Sequence, residues 1–159
     1  MRGIMAAAIV FLAASMYADE AIYIRIPGIQ GTSSDPSHPK WIEASDFGFD
    51  AGNPLGASKT TLKATFKKVA DAKSSPALFN ALTQSRQFEE IQVDFQKTLA
   101  GSQHVYLSIM IRDAEIVEYS LDYTDDQAEE SIDLKYKGTT LRFSTEAGEA
   151  VEVSSAGVP

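Results

Sequence analysis

Residues 21–49 read AIYIRIPGIQGTSSDPSHPKWIEASDFGF. Ile22, Ile24 and Ile26 alternate with Tyr23 and Arg25, which is the period of a half-buried strand with the isoleucines on its inner face. Pro27, Gly28, Gly31, Pro36 and Pro39 then punctuate a loop. A second strand opens at Trp41, the only tryptophan of the chain. A large ring at a strand start reads as a core anchor rather than a ligand-stacking residue.

Outward from this segment the pattern stays β-rich. Gly48 to Lys59 is a loop by composition, and Leu62, Ala64 and Phe66 alternate with Lys63, Thr65 and Lys67 as the next strand. Ser75 followed by Pro76 predicts an N-cap and a first helical residue, and Leu78, Ala81 and Leu82 give the helix its apolar stripe. The helix is expected over about residues 76–84. Beyond it, Ile91/Val93/Phe95, Val105/Leu107/Ile109/Ile111, Val117/Tyr119/Leu121/Tyr123, Ile132/Leu134/Tyr136, Leu141/Phe143 and Val151/Val153 read as separate strands. Seven to nine short strands with regular turn signals predict a mainly β fold. The expected architecture is a compact β-barrel of two packed antiparallel sheets with one short helix on its side.

The chain has 159 residues, no cysteine, and 14 Lys plus Arg against 22 Asp plus Glu, for a net charge of −8. That balance excludes a phosphate-binding surface of the usual kind and disfavours anionic membranes, and it suits solubility or a partner with a basic surface. Residues 1–18 have a different character. Arg2 precedes an apolar run from Ile4 to Ala14, too short for a membrane span, and small residues lead to Asp19. This is the layout of a signal peptide cut between Ala18 and Asp19, leaving one domain over residues 19–159. Secretion or residence in the periplasm would follow. The alternative is a start at Met16, with residues 1–15 outside the functional chain and the protein assembled in the cytoplasm.

A search for chemistry finds no catalytic set. His38 and His104 are the only histidines, and neither has the companions of a zinc site. The acidic run Asp122, Asp125, Asp126, Glu129 and Glu130 lacks the register and glycine of a calcium loop and reads as a solvated hairpin turn. No G-x-S-x-G occurs, and Gly28 and Gly31 do not open a helix. No catalytic residue, cofactor or metal is expected.

The opening stretch resembles the haemolysin-coregulated protein (Hcp) family of type VI secretion systems. Tyr23, Arg25, Ile26, Gly28, Ile29, Gly31, Ser33, Ser34, His38, Trp41, Ile42, Glu43, Phe47 and Phe49 match its pattern, with Gly28, Gly31, His38, Trp41 and Phe47 as signature positions. Lys68, Val69, Ser75, Pro76, Leu78 and Phe79 match a second segment, and Glu129 to Leu134 a third. From Lys137 the tail departs from the pattern. The resemblance implies a non-enzymatic tube subunit that forms hexameric rings, which stack and carry effectors in the lumen. Its partners would be further copies of itself, effector, spike and sheath proteins, with no nucleic acid and no membrane. It gives His38 a structural role in its loop. It also places Gly52, Asn53, Pro54, Leu55 and Gly56 in a loop expected to make ring or stack contacts. The other reading is a secreted or periplasmic β-barrel binding module that keeps the fold and builds no tube.

Mass spectrometry of the mature protein is expected to find Asp19 at its N-terminus. An initiating Met16 would overturn the signal-peptide reading.

Overall fold

The structure, a computed structural model, describes residues 19–50 and 62–155. Nine strands and one helix follow in the order β1 (Glu20–Arg25), β2 (Ile42–Ala44), β3 (Asp46–Phe49), β4 (Leu62–Val69), α1 (Ser75–Thr83), β5 (Gln87–Leu99), β6 (Ser102–Thr124), β7 (Gln127–Tyr136), β8 (Gly138–Ser144) and β9 (Ala150–Ser155). Every strand pairing is antiparallel. The fold is the mainly β one that the alternation predicts. Residues 1–18, expected to form a signal peptide, lie outside the described residues.

Two expected strands prove to be one. The stretches around Ile109 and Tyr119 belong to the single 23-residue strand β6. Arg112 to Glu115 looks like a break in sequence because the apolar period fails there. The chain instead resets its phase without turning. Asp113 takes a left-handed φ of 52°, and a bulge displaces the register between Ile116 and Glu118. Inward residues therefore fall at Ile109, Ile111, Ala114, Ile116 and Tyr119, with the spacing lengthened from two to three at each irregularity.

Strand β6 also explains how two sheets become one hydrogen-bonded system. Along one edge it pairs with β5 from Ser102 to Glu115. On the other edge Leu107–Arg112 pairs with β8, and Glu115–Thr124 pairs with β7. Two arms result, β2-β1-β5-β6-β8-β9 and β6-β7-β4-β3, with β6 in both. A strand that passes from one layer to another through a bulge is a recognised way to turn such a corner. The path stays open between β2 and β3, which only Ser45 separates; its N–H donates to the carbonyl of Lys67 on β4 at 2.8 Å.

The inner faces of both arms share one apolar core. Ile24, Ile42, Val93 and Ile109 come from the first arm, Phe66, Ile132 and Leu134 from the second, and Leu78 and Ala81 from α1. The helix begins one residue before its expected start. Ser74, not Ser75, is the N-cap, and Asp71 does the capping: its Oδ1 accepts from the N–H of Ser74 at 2.6 Å and of Lys73 at 2.7 Å. An Asx turn thus replaces a serine cap, which leaves Ser75 Oγ to accept from the Asp71 N–H at 2.8 Å.

Gly31 is where the opening loop is held closest to its strand. A Cβ there would stand 2.2 Å from the carbonyl oxygen of Trp41 and 2.5 Å from the Cα of Ile42, both backbone atoms. Gly48, in β3, has nothing within 4 Å of such a Cβ. Urea unfolding is expected to show Gly31→Ala destabilised by about 3 kcal/mol, because backbone must move. Gly48→Ala should stay within about 0.5 kcal/mol of the parent.

Candidate functional site

The residues that the sequence singles out converge on the loop between β1 and β2. Pro27 and Gly28, the latter at φ 79°, form a tight turn closed by the Ile29 N–H donating to the Ile26 carbonyl at 3.0 Å. The loop then folds back on itself. The Gly31 N–H donates to the Lys40 carbonyl at 2.8 Å, the Lys40 N–H to Ser33 at 2.9 Å, and the Ser33 N–H to Trp41 at 3.1 Å. Between these rungs Asp35 turns the chain, its Oδ1 accepting from the N–H groups of Ser37 and His38 at 3.0 Å each.

That turn delivers His38 into a buried position, 2% exposed. Its Nδ1 lies 2.9 Å from Asp35 Oδ1 and its Nε2 3.0 Å from Asp94 Oδ2. The ring stacks on Tyr23 at 4.4 Å and meets Trp41 edge-on at 4.8 Å. Each ring nitrogen thus faces a carboxylate oxygen, one from the loop itself and one from β5. Burial alone would raise the carboxyl of Asp35, but hydrogen bonds from His38, from Gln96 and from two backbone N–H groups hold it below its ordinary value. Asp94 accepts further bonds from Ser108 at 2.7 Å and Gln92 at 3.0 Å.

This arrangement clamps a loop to a sheet. Every polar contact of the His38 ring goes to Asp35 or Asp94, and aromatic rings cover it, so no reacting group has an approach. The alternation in sequence puts Tyr23 on an outer face; the structure buries it, because the loop covers that face of β1. Trp41 is half-buried, with the Arg25 guanidinium 5.6 Å over its ring. Phe47 stands apart from the clamp, on β3, packed edge-on against Phe95 at 5.9 Å. Gly52, Asn53, Pro54, Leu55 and Gly56 lie outside the described residues, as does Ala18.

A second buried polar cluster is not singled out by the sequence reading. Lys68 continues the inward phase of Ala64 and Phe66 on β4, and Glu130 continues that of Ile132 and Leu134 on β7, so the two stand opposite each other. Lys68 Nζ lies 2.8 Å from Glu130 Oε2 and 2.9 Å from Asp71 Oδ2, and donates to the Val69 carbonyl at 2.7 Å and to Ser75 Oγ at 3.1 Å. The Tyr119 hydroxyl donates to Glu130 Oε1. Burial, then that bond to Glu130, pushes the Tyr119 phenol up to about 12. The expected hairpin is present beside it, with Asp125 and Asp126 both at positive φ, but Glu130 belongs to this cluster and not to the solvated turn. Among the described residues no group of three or more His, Cys, Asp or Glu side chains has the geometry to hold a metal ion.

Among the described residues, exposed apolar side chains gather in two places. Phe143 on β8 and Val151 and Val153 on β9 extend the core face of β6 sideways into solvent, with Val151 63% exposed. At the far end of β6, Leu121 and Tyr123 (72% exposed) continue from Tyr119, against which Phe79 of α1 packs edge-on at 5.5 Å.

Known proteins match this geometry closely. The family described as "Type VI secretion system effector, Hcp" matches residues 23–143. That range takes in Lys137 to Phe143, where the sequence reading has the pattern end. The Hcp1 crystal structure from Salmonella typhimurium superposes with a TM-score of 0.72 at 22% identity, covering 85% of this chain and 92% of that one. A type VI secretion system effector from Yersinia pestis gives 0.71 at 21% identity, over 86% and 99%. Secreted protein Hcp3 from Pseudomonas aeruginosa gives 0.65 at 19%, over 88% and 99%. No curated protein matches the chain.

Asp71 links the second cluster to acid stability. Burial works against its charge, yet bonds from the Ser74 hydroxyl, Lys68 and the N–H groups of Ser74 and Lys73 lower its carboxyl from 3.8 to about 2. A lowered carboxylate stabilises the fold above its unfolded value and loses that contribution as pH falls through the folded one. Asp71→Asn is expected to cost roughly 2 kcal/mol at pH 7. In urea titrations its deficit against the parent should close as pH falls from 3.8 to about 2.

Proposed function

The chain belongs to the Hcp family of type VI secretion proteins, and from that premise we propose that it is a structural subunit of the secretion tube, with no catalytic role. The family match over residues 23–143 carries the reading. In it, copies assemble side by side into hexameric rings, the rings stack into a hollow tube, and effector proteins travel in the lumen. Spike and sheath proteins are the further partners. The tube is exported by the type VI machine, and an export signal over residues 1–18 would add a periplasmic or secreted stage.

The two apolar patches support assembly. A ring closes through a heterologous contact, in which one surface of a subunit meets a different surface of the next. The face of Phe143, Val151 and Val153 and the far end of β6 with Leu121 and Tyr123 are two such surfaces on different parts of the sheet. Apolar side chains exposed in contiguous groups are costly on a monomer and mark interaction sites. The buried clusters around His38 and Lys68 fit the same role, because they fix the loop and the helix that a rigid ring needs.

Light scattering on the purified chain is expected to give a particle of about six copies. Val153→Asp with Tyr123→Asp places a carboxylate in each patch and should reduce the particle to single copies while leaving the β spectrum intact. A parent chain that stays monomeric at every concentration would overturn the tube reading in favour of a β-barrel binding module.

A further inference from the structure

Where the two arms of the sheet meet beside Ser45, the structure contains a cleft of about 310 Å³. Its wall is aromatic: Phe47 meets Phe95 edge-on at 5.9 Å, and Phe95 meets Tyr106 at 6.3 Å. Ile22, Ala21 and Ala44 add aliphatic surface, and Ser45 and the carboxyl-bearing Glu20 and Asp46, both exposed, are the polar side chains of the lining. The three rings are half-buried in the described chain.

The charges around the cleft are as follows. Glu20 and Tyr106 line the same cleft, and burial, then the negative charge of Glu20, raises the Tyr106 phenol. Asp46 Oδ1 accepts from the Phe47 N–H at 2.9 Å. Lys67 stands opposite Asp46 in the β3–β4 register, but its ammonium lies 3.9 Å from Glu129. Lys97, opposite Glu20 on β5, holds its ammonium 5.3 Å from the centre of the Tyr106 ring. That ammonium already covers one face of Tyr106 at the border of the cleft, and among the described residues no such cation contact is recorded over Phe47 or Phe95.

We propose that this cleft binds the lysine or arginine side chain of a partner polypeptide, with the aliphatic stem against Phe47, Phe95 and Ile22 and the charged end between Glu20 and Asp46. An aliphatic cation answers each feature of the wall. Its methylenes remove apolar ring surface from water, and its charge meets the carboxylates and the electron-rich ring faces. A neutral apolar group would leave two carboxylates partly desolvated beside it, and an anion would be repelled. The volume sits at the small end of ligand sites, enough for one extended side chain. The net charge of −8 draws a basic partner toward the chain before the cleft selects a residue. This site goes beyond tube assembly, because a chain that stays monomeric would keep it.

The test is a titration of the full chain with acetyl-Ala-Ala-Lys-Ala-Ala-amide, followed through the ring resonances of Phe47, Phe95 and Tyr106. The norleucine counterpart of the peptide and n-butylammonium serve as comparisons. The lysine peptide is expected to give saturable shifts at those three rings, and the norleucine peptide to bind about tenfold more weakly. Glu20→Gln with Asp46→Asn, two exposed side chains whose exchange should leave the melting temperature unchanged, should weaken the lysine peptide about tenfold and leave norleucine unaffected. Equal binding of lysine and norleucine peptides would overturn the proposal, since the cleft would then be merely apolar. So would n-butylammonium binding as tightly as the peptide, which would make the ligand a free amine. Shifts that never saturate would overturn it outright.

Discussion

The fold depends on one strand keeping its apolar side inward through a change of sheet. β6 spans 23 residues and lies in both arms. A strict two-residue period over that length would serve one flat layer only, since each side chain points opposite to its neighbour. The left-handed turn at Asp113 and the bulge before Glu118 each add one residue to the period, so Ile111, Ala114, Ile116 and Tyr119 all reach the same core. Aspartate suits the first position because its short polar side chain tolerates positive φ better than the β-branched residues around it. At this level β7 ends and β8 begins, with the Lys137 N–H donating to the Arg112 carbonyl at 3.1 Å. The fork in the sheet and the reset in β6 are one event.

Two buried ionic clusters close the core where apolar side chains run out. The Lys68–Glu130 pair is the rung after Phe66–Ile132 in the β4–β7 ladder. Deleting one partner of such a pair costs about 3–5 kcal/mol, because the other is left charged and dry. The cluster also recruits Asp71 and Ser75, so the ammonium on the last inward rung of the ladder anchors the start of α1. His38 does the equivalent for the opening loop, joining Asp35 of the loop to Asp94 of β5. Hydrogen bonding to charged groups is directional, and this selects one docking geometry for each segment where apolar contact alone would allow several.

Much of this was legible in the residues, and the remainder failed for identifiable reasons. The strands β1, β4, β5 and β7 follow from alternation because each turns one row of apolar side chains into the core. α1 follows from Pro76, Leu78 and Ala81, displaced by one residue because Asp71 caps it from outside the helix. A period count splits β6 into two strands because it takes a phase shift for a break. Lys68 and Glu130 carried a usable signal, opposite charges at inward positions of two antiparallel strands, but only the pairing of β4 with β7 reveals that they face each other. Tyr23 and His38 could not be joined from sequence. Their stacking depends on a loop whose path is set by backbone bonds between residues 31–33 and 40–41.

These constraints bear on what the chain can be used for. A histidine with a carboxylate at each nitrogen and a lysine with two carboxylates within 2.9 Å have the residue types of catalytic centres. Both are closed, and their polar atoms are spent on each other, so they hold structure and leave nothing for a substrate. Open to solvent, among the described residues, are apolar patches and an aromatic cleft edged by carboxylates. In a ring those surfaces would have to bring together copies that each carry a net −8, so apolar burial must outweigh the repulsion between neighbours. The cleft turns the same negative charge to the opposite end, since the acidity that opposes self-association favours a basic side chain.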